Sequence, residues 1–102
     1  DNVRLKLGGL NMPDNGWGWH ERGTPPSSDE LMACQAKWYI HALDLFGAGR
    51  CMFESNFPVD RASVSYTVLW NFFKKIASGA SEAEKAALFS GTARSVYGLP
   101  PA

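Results

Sequence analysis

The chain has 102 residues, with ten basic and ten acidic side chains and a formal net charge of zero; 45% of its residues are hydrophobic and 13% aromatic. That is enough apolar material for one packed domain of about 100–150 residues, and too little chain for a complete eight-stranded α/β barrel, which takes about 250. Balanced charge excludes the basic excess of a nucleic-acid-binding or membrane-surface domain, and no apolar run approaches the roughly 20 residues of a membrane span.

The opening Asp1-Asn2-Val3 lacks an initiator Met and a targeting segment, and reads as an excised or incomplete chain. Residues 2–8 then alternate, with Val3, Leu5 and Leu7 on one face and Arg4, Lys6 and Gly8 on the other. This is the pattern of a short strand, ended by Gly8-Gly9. Residues 9–27 form a long connection rich in Gly, Pro and Asn, with Trp17, Trp19, His20, Glu21 and Arg22 at its centre. Connections of this length are often functional.

Residues 28–46 read as a helix. Ser27 and Glu30 have the spacing of a capping box, and Leu31, Cys34, Trp38, Ala42 and Leu45 form its apolar stripe. Gly47 stops it. Residues 50–54 form a second short strand, and Pro58 prevents its continuation. Residues 65–78 read as a second helix on the stripe Val68, Leu69, Phe72, Phe73 and Ile76. Ser81 and Glu84 cap a third helix to about residue 89, Gly91 interrupts it, and a last helix covers about 92–97. Cys34 and Cys51, each in an apolar stretch, read as two buried reduced thiols rather than a bridge, which favours a reducing compartment, the cytoplasm.

A strand, crossover helix and second strand imply a parallel pair. Two strands do not make a stable sheet alone, so both need neighbours from further sequence or another chain. Ligands of parallel α/β sheets sit at the carboxyl ends of the strands, here residues 8–20 and 54–60. If the apolar face of the first strand packs on helices, Lys6 points the other way and pairs with Glu54 on the next strand; the alternative is that Glu54 faces solvent at a frayed end. His41 lies mid-helix as a solvated side chain. His20 is a candidate for substrate contact, with a structural role equally open. No His-x-His, Cys-x-x-Cys or His-Glu-x-x-His occurs, so no metal site is assignable from this chain alone. No Gly-x-Ser-x-Gly elbow indicates a hydrolase triad.

The run Arg50-Cys51-Met52-Phe53-Glu54-Ser55-Asn56-Phe57-Pro58-Val59-Asp60 resembles the last-strand motif of the amidohydrolase-related family of TIM-barrel hydrolases. Val3-Arg4-Leu5-Lys6-Leu7-Gly8-Gly9 is similar to that family's preceding strand, and residues 86–99 resemble its terminal helix. The resemblance covers essentially all 102 residues. It implies an α/β fold in which residues 1–102 are one partial domain, the C-terminal part of a (β/α)8 barrel with its last two βα units and terminal helices. It also implies chemistry at the C-terminal face, where the family hydrolyses lactones or C–N bonds or decarboxylates. The family's Asp after the last strand acts as general base or metal ligand; here that position is Asn56. An amide has no lone pair basic enough to take a proton from water; Asn56 could still orient water or substrate or ligate weakly, and either Asp60 or Glu54 substitutes as base or the subgroup works differently.

The resemblance thus implies a hydrolase of a small carbonyl substrate (a lactone, amide or carboxylate), with a divalent metal, zinc or manganese, in the intact enzyme. Asn56 and His20 would be catalytic, and Arg22, Trp19, Glu54 and Lys6 substrate-binding. The expected partners are a small-molecule substrate and the remaining barrel segment or further copies, without nucleic acid or membrane. The fragment alone should be inactive. The alternative is a non-catalytic α/β interaction domain that oligomerises through exposed strand edges.

Overall fold

The computed structural model describes residues 2–100. Two short strands lie side by side: β1 (Leu5–Leu7) and β2 (Cys51–Phe53), parallel and in the register Leu5–Cys51, Lys6–Met52 and Leu7–Phe53. The Glu54 N–H extends the ladder by one bond, donating to the Leu7 carbonyl at 3.1 Å. The ladder is shorter than the alternating run, because alternation persists in a segment whether or not a neighbour pairs with it.

Helix α1 (Ser28–Phe46) crosses between the strands. Its capping box is present: Ser27 Oγ accepts from the Glu30 N–H at 3.1 Å, and Glu30 Oε1 accepts from the Ser27 N–H at 3.2 Å. These bonds satisfy two otherwise orphaned amides of the first turn. Helix α2 (Tyr66–Ile76) follows β2 and starts on Ser65, whose hydroxyl accepts from the Val68 N–H.

The buried face of α1 differs from the apolar stripe read from the sequence. Leu31, Gln35 and Tyr39 are buried, whereas Trp38 and Leu45 are 56% and 64% exposed. The face is rotated because the polar Gln35 can be buried: its Nε2 donates to Asn11 Oδ1 at 2.7 Å, which offsets part of the penalty for placing an amide in the core, although Gln35 Oε1 and Asn11 Nδ2 stay without partners. Along α2, Leu69, Phe72, Phe73 and Ile76 are buried as expected.

The expected break at Gly91 is a widening instead. Helix α3 (Glu82–Ala86) passes through a π-helical turn at Ala87–Gly91 into α4 (Thr92–Tyr97), and Gly91 keeps helical angles. A π turn inserts a residue into the ladder without ending the helix, and Leu88 and Thr92 are both buried there. Thr92 Oγ1 donates to the Ala48 carbonyl at 2.7 Å and ties α4 to the segment entering β2.

One core joins these elements. Phe53 stacks on Phe73 at 4.5 Å between ring centres and meets Phe89 at 4.9 Å. Leu7, Leu31, Tyr39, Cys51, Leu69, Phe72 and Leu88 complete the packing. Leu7 and Phe53, paired in register, therefore face the helices. Met52, although buried, stands outside this cluster. The opposite face of the strand pair carries Lys6, Met52, Gly8 and Glu54. Cys34 and Cys51 are free thiols, and burial pushes the Cys51 thiol up, against the nearby charge of Arg50. Among the described residues no helix is long and apolar enough to cross a membrane.

Candidate functional site at the strand ends

The carboxyl end of the parallel pair is built on two glycines. A Cβ placed on Gly8 would lie 2.3 Å from the Glu54 carbonyl oxygen and 2.6 Å from Glu54 Cγ and Oε1. Any side chain there would displace Glu54. Gly9 has a φ of +78° and lies against both residues of interest, its virtual Cβ 3.6 Å from Asn56 Nδ2 and 3.9 Å from Glu54 Oε1. The Gly8-Gly9 dipeptide is thus a floor on which the Glu54 carboxylate and the Asn56 amide sit side by side.

Asn56 itself has a φ of 55°, in the left-handed region that Asn tolerates better than most residues. Its Nδ2 donates to Asp60 Oδ1 at 2.8 Å, and its carbonyl accepts from the Asp60 N–H at 3.0 Å. Asp60 is fully buried, and its Oδ2 has no hydrogen-bond partner. Burial pushes its carboxyl above the ordinary range. Glu54's charge adds to that, while the Asn56 amide and the Asn11 N–H pull the other way. Behind it, burial raises the Tyr39 phenol, and the charges of Asp60 and Glu54 raise it further. Glu54, Asn56, Asp60, Tyr39, Asn11 and Gln35 thus form a partly satisfied polar cluster under the strand ends. Unsatisfied buried polar groups of this kind concentrate at functional sites.

The other candidates are placed differently. Trp19 is buried in a 3-10 turn, Trp19–Glu21, and stacks parallel to Trp17 at 6.1 Å. His20 is exposed, its Nε2 3.5 Å from Glu21 Oε1. Arg22 lies over the Trp19 ring at 5.2 Å and donates to Glu30 at 2.7 Å. That bond, followed by the Ser27 N–H, holds the Glu30 carboxyl below its usual range. Arg22 thus clips the long connection to the start of α1. No hydrogen bond or ion pair among the described residues joins Trp19, His20 or Arg22 to Glu54 or Asn56.

The expected Lys6–Glu54 ion pair is absent. Lys6 stands beside Met52 in register, two residues short of Glu54, and lines a shallow hollow of about 180 Å3 with Gly8, Trp38 and Tyr39. Its ammonium stays exposed, which avoids the desolvation a buried pair would require. His41 is exposed on α1, as its helical position suggested. A larger groove of about 520 Å3, lined by Met32, Ile40, Leu43, Lys75 and Ile76, is not lined by any of the strand-end residues.

Gln35 and Tyr39 are contributors that apolar periodicity overlooks. They share the spacing of Leu31 at i+4 and i+8, but a stripe drawn only through apolar residues prefers Trp38 and Leu45. Among the described residues no three His, Cys, Asp or Glu side chains converge as a metal-binding group. The donors present here do not by themselves make a metal site.

The amidohydrolase family model (Amidohydro_2) matches residues 1–99. The chain belongs to the amidohydrolase family. It is 40% identical over 96 residues to the uncharacterized protein y4mH of Sinorhizobium fredii, covering 94% of this chain and 28% of that protein. It is 43% identical over 60 residues to an L-fucono-1,5-lactonase of Burkholderia multivorans, covering 58% of this chain and 20% of the lactonase. Crystal structures of a Burkholderia multivorans amidohydrolase, one with bound zinc and one with bound HEPES, superpose with TM-scores of 0.78 and 0.79 at 33% identity. They cover 96% of this chain and 32% of theirs. The chain spans less than a third of the length of each relative it matches. Its fold is that of the C-terminal part of an amidohydrolase TIM barrel, and β1 and β2 are two neighbouring strands of that barrel's wall.

Proposed function

We propose that these residues supply one sector of the active site of a hydrolase that opens a small lactone, with the remaining strands of the barrel supplied by further sequence or by partner chains. The observation that carries this reading is the seating of Glu54 and Asn56 on Gly8-Gly9, at the carboxyl ends of the parallel strands. The likeness to an L-fucono-1,5-lactonase favours a lactone over an amide or a carboxylate.

Within this sector Glu54 is the proton-handling group. Its carboxylate accepts a proton from water as the water oxygen attacks the lactone carbonyl. It then returns that proton to the departing ring oxygen, leaving a hydroxy acid. Asn56 accepts a hydrogen bond from the water or a substrate hydroxyl and orients it. Trp19, His20 and Arg22, on the connection after β1, form the rim that meets substrate, and Lys6 adds positive charge on the barrel face. A divalent metal, if bound in the assembled barrel, would polarise the carbonyl and would draw its ligands mainly from the other strands. The workplace is a reducing, cytoplasmic compartment, in keeping with two free thiols.

The test is lactone hydrolysis by the assembled barrel, followed as acid release. Glu54→Gln should lower kcat by about 100-fold or more, the usual scale of general acid–base catalysis. Full activity in Glu54→Gln, or no hydrolysis of any sugar lactone by the unsubstituted barrel, would overturn the reading. The second outcome, combined with stable self-association, would favour an interaction domain instead.

A further inference from the structure

We infer that Asp60 is a positioning residue whose carboxylate fixes the rotamer of the Asn56 amide, so that Asn56 presents its carbonyl oxygen, and not its NH2, to the site. The inference rests on the proposed hydrolase reading for its functional meaning, but its geometry stands independently.

A side-chain amide has two ends of nearly equal size and opposite hydrogen-bonding character. Left alone at a strand end, it would offer water either an acceptor or a donor. Asp60 removes that ambiguity. An ionised carboxylate only accepts, so the Asn56 group facing it at 2.8 Å must be the NH2. Asn56 Oδ1 then lies on the other side of Cγ, and no protein donor among the described residues bonds to it. The clip is doubled by the main chain, since the Asp60 N–H donates to the Asn56 carbonyl at 3.0 Å.

The surroundings make Asp60 a poor candidate for any surface role. It is completely buried between exposed neighbours, with Val59 53% exposed and Arg61 at the surface. The turn Val59–Ala62 holds it in place, because its own carbonyl accepts from the Ser63 and Val64 N–H groups at 2.9 and 3.1 Å. A fully buried carboxylate with one oxygen unpartnered costs folding stability, and a positioning role accounts for its presence. Its side-chain hydrogen bond is to the Asn56 amide, and the Asn11 N–H also favours its charged form. The pair therefore offers the site a neutral oxygen acceptor where the amidohydrolase pattern has a carboxylate, and places the negative charge one turn deeper.

The decisive comparison is between two variants in the assembled barrel. Asp60→Asn keeps an oxygen able to accept from Asn56 Nδ2 and should hold kcat for lactone hydrolysis within about tenfold of the unsubstituted protein. Asp60→Ala keeps none and should lower kcat by about 10- to 100-fold with a smaller change in KM, the range found when an oriented group loses its support. Equal damage in both variants would mean that the Asp60 charge takes part in proton chemistry, and no damage in either would mean that the clip is idle; each overturns the inference.

A second readout needs neither turnover nor a variant. In 15N-labelled protein, one Asn56 side-chain amide proton should exchange with solvent at least tenfold more slowly than those of the exposed Asn2 and Asn71. Equal exchange rates would overturn the inference even if the barrel is an active lactonase. Slow exchange in a barrel that hydrolyses nothing would leave the clip standing and count only against the hydrolase reading.

Discussion

Gly8 decides where Glu54 can be. Replacing a glycine of ordinary backbone angles with alanine usually stabilises by about 0.4–1 kcal/mol, because the unfolded chain loses freedom. Here the new methyl would meet the Glu54 carbonyl oxygen at 2.3 Å, a backbone atom of the residue whose N–H closes the ladder. Overpacking against backbone outweighs the gain, at about 1–3 kcal/mol. Gly8→Ala is therefore expected to lower the urea midpoint and, in the assembled barrel, to lower activity together with it. An unchanged midpoint would show that the strand ends yield easily.

Asp60 makes a second prediction, whose sign follows from the direction of its shift. Its folded carboxyl is raised above the ordinary value, first by burial. Between the ordinary and the raised value the folded state binds more proton than the unfolded one. Stability from this group is thus greatest at low pH and falls as pH rises through that window. Melting temperatures across acidic pH should show this decline, and Asp60→Asn should flatten it. A decline that persists unchanged in Asp60→Asn would assign the effect to another group. Neither residue was visible for this role in composition or spacing: Gly8 read as a strand stop, and Asp60 only as a stand-in for a missing carboxylate.

Among the elements, the two helices that flank the strands were legible to different degrees. The boundaries of α1 and both capping boxes follow from local chemistry, since a Ser and a Glu three residues apart satisfy amides of the same turn wherever that turn lies. The buried face of α1 did not follow, because Gln35 enters the core only with Asn11 as a partner 24 positions away. α2, with five apolar residues on one side, left no such choice. The two faces of α1 are separable by mutation. Leu31→Ala is expected to cost about 2–5 kcal/mol, as for a fully buried leucine. Leu45→Ala should stay within about 0.5 kcal/mol in the chain by itself. Chemical denaturation of the two variants checks this, and the reverse order would restore the stripe drawn through Trp38 and Leu45.

For the molecule as a whole, the radius of gyration is 13.8 Å with extents of 40 × 25 × 24 Å. A compact domain of this length would have roughly 13 Å, so the body is slightly drawn out. Among the described residues its sheet has two strands with both outer edges unpaired, and Trp38 and Leu45 stand exposed on the crossover helix. Open edges beside apolar surface favour pairing with another chain. The 102-residue chain is accordingly expected to elute from size-exclusion as an assembly and to hydrolyse no lactone unaided. A sharp monomer peak would count against sticky edges, and turnover by the monomer would show that this sector suffices.

Local chemistry in the chain settled the order of the main elements, their capping boxes and the parallel pairing, while the family was legible only as a resemblance of motifs. Each depends on residues close in sequence or on a regular period. The tertiary structure alone decided that Gln35 is buried and Trp38 is not, that Lys6 and Glu54 form no ion pair, that α3 flows through a π turn into α4, and that Asp60 bonds Asn56 beside the two glycines. These depend on which surfaces meet. A polar side chain is buried or exposed according to the partner it finds there, and no local pattern carries that information.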